Sequence, residues 1–190
     1  MRNRIFIAIN FPKNIREKLY RTKDEYLDLP CKWTRRDNLH LTLFFLGNLN
    51  DEEVLTTCRA VEEIGQKHSP FTLELNNISF GPPKKIPPRM VWANGLPSKE
   101  LTSLKNDLEN SLYEKVPAEM NEENHPFSPH VTLARIKEWQ LRQMEIEEVP
   151  LVDKNIDLKI PVSSIEVMAS ELKKEGPEYT VLASVGLSFT

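Results

Sequence analysis

The chain has 190 residues, of which 39% are hydrophobic and 28% are charged, a composition typical of one soluble globular domain and not of a disordered or membrane protein. Its 25 basic and 28 acidic residues give a formal net charge of −3, so a polyanion needs a local basic patch. No apolar stretch approaches the roughly 20 residues that span a bilayer, and none resembles an export signal. We therefore expect a single domain over residues 1–190, a cytoplasmic location and no membrane partner.

Hydrophobic periodicity predicts alternating strands and helices in the first half of the chain. Short apolar runs indicate strands, and apolar residues three or four positions apart indicate amphipathic helices. Asn50 followed by Glu53 has the pattern of a helix N-terminal capping box. The predicted elements are a strand over 4–10, a helix over 13–29, a strand over 40–46, a helix from Asn50 to about Gly65 and a strand over 71–80.

The second half continues this alternation after a proline-rich connection over 81–88. Several neighbouring strands lack the crossover helix that a parallel sheet needs. The order therefore predicts an α+β fold in which antiparallel sheets carry helices on their outer faces. The predicted elements are a strand over 89–96, a helix capped by Ser98, a loop over 116–129, a strand over 130–136, a short helix over 137–147 and strands over 156–160, 164–172 and 179–187.

Several common chemistries are excluded by missing motifs. The six glycines are too widely spaced for either glycine-rich phosphate loop, and the chain has no GxSxG, CxxC or HExxH sequence. Cys31 and Cys58, in a chain without an export signal, are interpreted as reduced thiols and not as a disulfide. Any chemistry must come from side chains that are scattered along the sequence.

The sequence repeats one four-residue pattern ninety residues apart. His40-Leu-Thr-Leu and His130-Val-Thr-Leu each place a histidine and a threonine two positions apart in a predicted strand. Because strand side chains alternate between faces, His40 shares a face with Thr42, and His130 shares a face with Thr132. If the two strands are neighbours, two imidazoles and two hydroxyls meet in one cleft and form a site for acid–base chemistry.

Two other interpretations of these histidines are open. A lone strand histidine is commonly a hydrogen-bonded structural residue. A metal site is the second alternative, with His68 and His125 as further ligands, but neither motif adds a carboxylate or thiol ligand. We therefore expect neither a metal ion nor another cofactor.

The sequence resembles the RNA 2',3'-cyclic phosphodiesterases, the branch of the 2H phosphoesterase superfamily once described as 2'-5' RNA ligases. The resemblance lies in RIFIAINFP at the start, HLTLFFLG and SPHVTLAR around the two histidines, and GPEYTVLASVGL near the end. It implies two lobes of antiparallel sheet, related by an approximate two-fold axis, around a central cleft. It also implies hydrolysis of RNA 2',3'-cyclic phosphate ends to 2'-phosphates, with His40 as proton donor and His130 as proton acceptor. The residues alone allow these two roles to be exchanged.

Further residues are candidates for contacts with such a substrate. The two threonine hydroxyls suit the non-bridging phosphate oxygens, and Arg135 follows the second motif as it does in the family. Strand parity places Arg135 opposite His130, so it reaches the cleft only through a bulge or a strand end. Candidates for stacking on a base or ribose, with core packing as the alternative, are Trp33, Phe44 and Tyr179. Candidates for a basic rim, with a solvated surface as the alternative, are Arg35, Arg36, Lys84, Lys85 and Arg89.

Three functions are compatible with this reading. The first is hydrolysis of RNA 2',3'-cyclic phosphate ends or cyclic nucleotides by a monomer, without a metal ion. The second is 2'-5' ligation, in which an RNA 5'-hydroxyl replaces water at the same phosphate. The third is a module that binds RNA ends without turnover.

Overall fold

The computed structural model describes residues 3–116, 127–145 and 148–188. These residues form nine strands, four α-helices and two short 3-10 turns over Arg21–Glu25 and Arg36–Asn38. The strands are β1 (Asn3–Asn10), β2 (Cys31–Trp33), β3 (His40–Leu49), β4 (Phe71–Gly81), β5 (Met90–Gly95), β6 (His130–Ile136), β7 (Asp153–Val162), β8 (Ser164–Lys173) and β9 (Gly176–Gly186). The helices are α1 (Lys13–Tyr20), α2 (Asp51–Gly65), α3 (Lys99–Lys115) and α4 (Glu138–Leu141).

All of these strands join one sheet in the order β7-β4-β5-β6-β3-β1-β8-β9, with β2 paired to β6. Every recorded pairing is antiparallel, and the predicted α+β class is confirmed. The sheet has two four-stranded halves that meet where β3 pairs with β6. In one half, β4 and β5 pair with the later strands β7 and β6; in the other, β8 returns to pair with β1 and β9 pairs with β8. Each half of the sheet is therefore built from both halves of the sequence.

The main core lies on the side of the sheet covered by the helices. Alternate residues of β1, such as Ile5, Ile7 and Ile9, are fully buried there, as expected for strand alternation. A smaller cluster of Phe6, Ala8 and Met168, with Tyr179 packed against it, lies on the opposite face of the same strands. The sheet thus has one face in the main core and an opposite face with this smaller cluster. We call the surface of this opposite face beside the cluster the cleft.

Local signals account for the two long helices. In α2, the amide of Glu53 donates to Asn50 Oδ1 at 3.0 Å and the amide of Asn50 donates to Glu53 Oε2 at 2.7 Å, which confirms the capping box. In α3, Ser98 Oγ accepts from the amide of Leu101 at 3.1 Å. None of the helices among the described residues is both long enough and apolar enough to cross a membrane.

Three elements differ from the prediction. α1 ends at Tyr20 and continues as a 3-10 turn, since the segment 21–25 has no large apolar side chain to hold a full helical turn against the core. Strand β2 was not predicted, because three residues carry too little periodicity. The helix predicted over 137–147 is limited to α4 in the described part. Of the predicted loop over 116–129, residues 117–126 lie outside the described residues.

Candidate active site in the cleft

The two repeated motifs lie on adjacent strands at the centre of the sheet. β3 pairs with β6 at Leu41 and Val131, the residues that follow the two histidines. Both of these apolar side chains are fully buried. Strand alternation therefore puts the flanking polar side chains on the opposite face, where the cleft lies. These side chains are His40, Thr42, His130 and Thr132.

His40 is held at both ring nitrogens. Nδ1 lies 2.7 Å from the backbone oxygen of Asn38, and because a carbonyl oxygen accepts, Nδ1 carries the hydrogen. Nε2 lies 3.0 Å from Thr42 Oγ1, so in the neutral ring Nε2 accepts from the threonine hydroxyl. The ring also contacts Phe6, with centroids 5.0 Å apart, and the edge of Tyr179 at 5.3 Å and 85°.

Burial lowers the pKa of His40, the Asn38 carbonyl partly offsets this, and the neighbouring charge of His130 lowers the pKa further. The imidazole of His40 is therefore neutral near pH 7 in the empty cleft. The pairing of Leu41 with Val131 puts the two rings on the same face of neighbouring strands. The charge of a ligand bound between the two imidazoles would therefore affect the protonation of both.

His130 has the same backbone contact but a different ring partner. Its Nδ1 lies 2.8 Å from the backbone oxygen of Ser128, so Nδ1 again carries the hydrogen and Nε2 is directed away from the backbone. The ring stacks on the indole of Trp92, with centroids 3.7 Å apart and planes 20° apart. An indole face attracts a cation, so this stack suits a histidine that becomes charged.

The register explains why the two histidines differ. Thr42 on β3 lies opposite Ala8 on β1, whereas Thr132 on β6 lies opposite Trp92 on β5. The two halves of the sheet therefore differ beside their motifs, because one carries the large indole of Trp92 where the other has only the methyl group of Ala8. As a result, His130 lies on a flat aromatic face, whereas His40 lies against the tilted ring of Phe6 and the edge of Tyr179.

Two β-bulges change which residues reach the cleft. Leu43 has no partner in the β1–β3 register, and Leu133 has none in the β5–β6 register. After each of these extra residues, the side chains of the strand point to the opposite faces from those that simple alternation predicts. Arg135 therefore returns to the cleft side and is exposed. The same shift makes Phe44 the wrong choice for stacking on substrate, and its neighbour Phe45 takes the cleft position.

The burial of these two phenylalanines supports the correction. Phe44 is 1% exposed and packs edge-on against Tyr113 of α3, with centroids 5.7 Å apart. Phe45 is 50% exposed, and its ring lies 5.8 Å from that of Phe6 on the cleft side. Simple alternation in the sequence pointed to Phe44, and no local signal marks the bulge.

The other two aromatic candidates have different positions. Tyr179 on β9 lies in the cleft beside Phe6, with centroids 5.1 Å apart; burial raises its pKa, and the charges of Arg135 and Arg4 oppose that rise. Trp33 on β2 pairs with buried Ala134 and packs against the main core. Trp33 is therefore partly buried against the core, and its stacking on substrate stays a prediction, whereas Tyr179 lies beside His40.

Acidic partners occupy much of the predicted basic rim. Arg35 pairs with Glu175 at 2.6 Å and Arg89 pairs with Glu138 at 3.3 Å. Arg36 lies between Glu17 at 3.4 Å and Asp37 at 3.5 Å. Lys84 and Lys85 lie on the exposed connection before β5. Arg135 and Arg4 are two positive charges that act on Tyr179, the ring beside His40.

The remaining histidines and the cysteines lie apart from this pair. His68 Nε2 lies 2.9 Å from Asp107 Oδ2, and His125 lies outside the described residues. Within the ranges that the structure describes, no three histidine, cysteine or acidic side chains are grouped as a metal site requires. Both cysteines are free, and burial raises the pKa of Cys31 to about 11 and also that of Cys58.

The arrangement supplies two imidazoles, two hydroxyls and an arginine on one face of the sheet. Two imidazoles with their Nδ1 positions occupied present Nε2 for proton transfer. Hydroxyl and guanidinium donors suit phosphate oxygens. The geometry is therefore that of a site for acid–base chemistry on an anionic group.

Comparison with known proteins agrees with this description. The RNA 2',3'-cyclic phosphodiesterase of Aquifex aeolicus is 29% identical over 183 residues, which cover 94% of each protein. That of Thermus thermophilus is 29% identical over 188 residues, or 97% of this chain and 90% of the relative. Among solved structures, TT0787 of Thermus thermophilus has a TM-score of 0.85 at 28% identity and covers 98% of both chains. LigT of E. coli in complex with 3'-AMP has a TM-score of 0.78 at 25% identity, over 98% of this chain and 99% of the other.

The family model described as LigT like Phosphoesterase matches twice, over residues 9–92 and 96–179. Each match contains one His-x-Thr motif. The two matches together span most of the chain, and the resemblance to 2H phosphoesterases predicted from the sequence is confirmed. The chain belongs to the LigT-like phosphoesterase family.

Proposed function

We propose that this protein hydrolyses RNA 2',3'-cyclic phosphate ends to 2'-phosphates, with His40 and His130 as a metal-independent acid–base pair. The observation that supports this most directly is the pairing of Leu41 with Val131, which puts both histidines and both motif threonines on one face of the sheet. Relatives that bear the name RNA 2',3'-cyclic phosphodiesterase suggest the substrate class.

The reaction needs two proton transfers on opposite sides of phosphorus. A water oxygen forms a bond to phosphorus while the bond from phosphorus to the ribose 3'-oxygen breaks in line with it. His130 accepts the proton of the attacking water, and protonated His40 donates to the departing 3'-oxygen. Each transfer contributes about 10²–10⁴ in rate. Exchange of protons with solvent restores both histidines.

The lowered pKa of His40 fits the role of acid only when substrate is bound. A phosphodiester carries a negative charge, and an adjacent anion favours the protonated imidazole. Binding therefore raises the pKa of His40 from its low value in the empty cleft, and the ring gains its proton as the substrate arrives. The empty protein keeps His40 neutral, which avoids two like charges between the strands.

Thr42 links this proton to phosphate binding. In the neutral site its hydroxyl donates to His40 Nε2, at 3.0 Å. When Nε2 is protonated it donates instead, and the threonine hydrogen becomes available to a phosphate oxygen. Thr132 is the corresponding residue beside His130. We assign the two hydroxyls to the charge that develops at the non-bridging oxygens.

The walls of the cleft suit the rest of the nucleotide. We assign Arg135 to a contact with phosphate, because its charge and that of Arg4 both act on Tyr179 beside His40. Tyr179 and the half-exposed Phe45 offer aromatic surface to a base or ribose. The proposed ligand is therefore a terminal nucleotide whose cyclic phosphate lies between the histidines.

The test uses an oligonucleotide that ends in a 2',3'-cyclic phosphate and, separately, a cyclic mononucleotide. We expect the products to carry a 2'-phosphate. His40→Ala and His130→Ala should each reduce turnover by about 10²–10⁴-fold in protein that still unfolds in a single cooperative transition. His68→Ala is the matched control and should retain wild-type turnover, since His68 binds Asp107 away from the cleft. EDTA should have no effect.

Several outcomes would contradict the proposal. If turnover survives both alanine substitutions, the histidines are not the acid–base pair. If EDTA abolishes activity and a divalent metal restores it, the metal-free mechanism is ruled out. Binding of the cyclic end without any turnover would indicate a binding module. An RNA with a 5'-hydroxyl is added in a parallel reaction, and a joined 2'-5' product there would indicate ligation.

A further inference from the structure

We infer that the β8–β9 hairpin positions His40 for catalysis, with the side chain of Asn38 as the link between the hairpin and the imidazole. This inference rests on the proposed function. It concerns Asn38, a residue outside both His-x-Thr motifs, and it assigns Asn38 a positioning role, since its contact is with His40 and not with substrate.

Asn38 faces His40 with its backbone and the hairpin with its side chain. Its carbonyl oxygen accepts from His40 Nδ1 at 2.7 Å, which fixes the tautomer and the direction of Nε2. Its Nδ2 donates to the backbone oxygen of Pro177 at 2.8 Å. Pro177 is the second residue of β9, 139 positions along the chain. The carbonyl that orients His40 is therefore tied to a distant strand.

Two further contacts fasten the same hairpin to the segment before His40. Lys32 Nζ donates to the backbone oxygen of Glu175 at 3.0 Å, and Arg35 donates to the Glu175 carboxylate at 2.6 Å. Both basic side chains are exposed, so each contact alone contributes little to stability. Their effect is geometric, because they hold the hairpin turn beside the 3-10 turn that contains Asn38.

The hairpin also reaches His40 directly. Tyr179, two residues after Pro177, presents its ring to His40 edge-on at 5.3 Å. The imidazole is thus confined on one side by a ring from β9 and on another by a carbonyl that β9 holds. Movement of this hairpin would change both contacts together.

The surroundings of the other histidine come from different parts of the chain. The partners of His130 include the Ser128 carbonyl and the Trp92 ring, which belong to the segment before β6 and to β5. The inference therefore predicts an asymmetric effect. A change at Asn38 should alter the ring of His40 and leave that of His130 as it was.

The experiment compares Asn38→Ala with the matched control Asn48→Ala, an exposed residue on the same strand as His40. For Asn38→Ala we expect kcat to fall about 10-fold to 100-fold, as for a misplaced catalytic group, with KM changed less than about twofold. Asn38→Gln, which retains a donor, should recover part of kcat. The ¹⁵N NMR signals of the imidazoles should show a loss of the Nδ1–H tautomer at His40 only.

A second variant acts on the hairpin without touching Asn38. Gly176 has a φ of +129°, a conformation that a residue with a side chain rarely adopts, so Gly176→Ala should disturb the turn and alter the His40 signals in the same direction. Because both changes act through one hairpin, the double variant should lose less than the product of the two single effects.

The inference is overturned if Asn38→Ala leaves kcat and the His40 signals unchanged, or if the signals of His130 change as much as those of His40. The NMR measurement uses the protein without substrate. If the wild-type protein fails to open cyclic phosphates, the proposed function is lost, but the NMR result still decides whether the hairpin positions His40.

Discussion

Replacing Gly81 with alanine should reduce activity although residue 81 lies outside both motifs. The indole of Trp92 lies between the backbone of Gly81 and the imidazole of His130, and it stacks on that imidazole with centroids 3.7 Å apart. A Cβ at position 81 would lie 2.6 Å from Trp92 Cε3 and 2.7 Å from Cε2. The methyl group therefore displaces the ring that supports His130.

The size of the effect follows from these distances. Ordinary contact begins at 3.4 Å, and Trp92 Cδ2 lies even nearer to the added Cβ than Cε3 and Cε2 do. The indole must therefore move by about 1 Å or more, and His130 has to move with it. A displacement of about 1 Å at a catalytic group reduces the rate by roughly 10²-fold. Overpacking of this kind destabilises a fold by about 1–3 kcal/mol. We therefore expect kcat to fall by about two orders of magnitude in a protein that still folds.

The assay measures kcat, KM and thermal unfolding for Gly81→Ala, with Gly186→Ala as the matched control. Gly186 has no atom within 4 Å of an added Cβ, so its variant should behave as wild type. The double variant Gly81→Ala/Trp92→Ala removes the clash together with the indole, so it should lose no more kcat than Trp92→Ala alone. Normal turnover of Gly81→Ala with unchanged stability would refute the role of Trp92 as a support for His130.

Two further predictions concern pH and the aromatic wall. The folded pKa of His40 lies below its unfolded value of about 6.5, so its contribution to stability is present above that pH and is lost as pH falls through the folded pKa. The unfolding temperature should therefore decrease more between about pH 7.5 and about pH 5.5 for wild type than for His40→Gln, and equal decreases would contradict the burial argument. Phe45→Ala should raise KM severalfold with little change in stability, whereas Phe44→Ala should destabilise the fold by about 3–5 kcal/mol. Enzyme kinetics and denaturant unfolding distinguish the two effects. The reverse pattern would mean that the bulge, and with it the facing of the two side chains, is assigned incorrectly.

The sequence predicts the positions of the two histidines because the rules involved are local. Alternation within a strand puts His40 beside Thr42 on one face, and no irregularity occurs between these two residues. Asn50 and Ser98 similarly mark helix starts that the structure confirms. Where neighbouring residues alone decide the conformation, the pattern in the chain is sufficient.

The errors arise where distant strands decide the conformation. The bulges at Leu43 and Leu133 depend on how β1 and β5 pair with the motif strands, so alternation beyond each threonine misassigns Phe44 and Phe45. The short strand β2 exists because its three residues pair with residues 134–136 of β6. No local composition marks either feature, since both are set by partners that lie far away in the chain.

The difference between the two halves bears on which ribose oxygen leaves. If the two histidines had identical surroundings, a single proton would reside on each of them half of the time. The population with His40 protonated and His130 neutral would then be reduced only about twofold, which corresponds to roughly 0.4 kcal/mol. A symmetric cleft would, however, accept the cyclic phosphate in both orientations and release either oxygen. Here Tyr179 and Phe45 line the half that contains His40, and Trp92 occupies the stacking position in the other half. If the proposed function holds, we expect substrate orientation, and with it the position of the product phosphate, to depend on these aromatic walls more than on the distribution of protons.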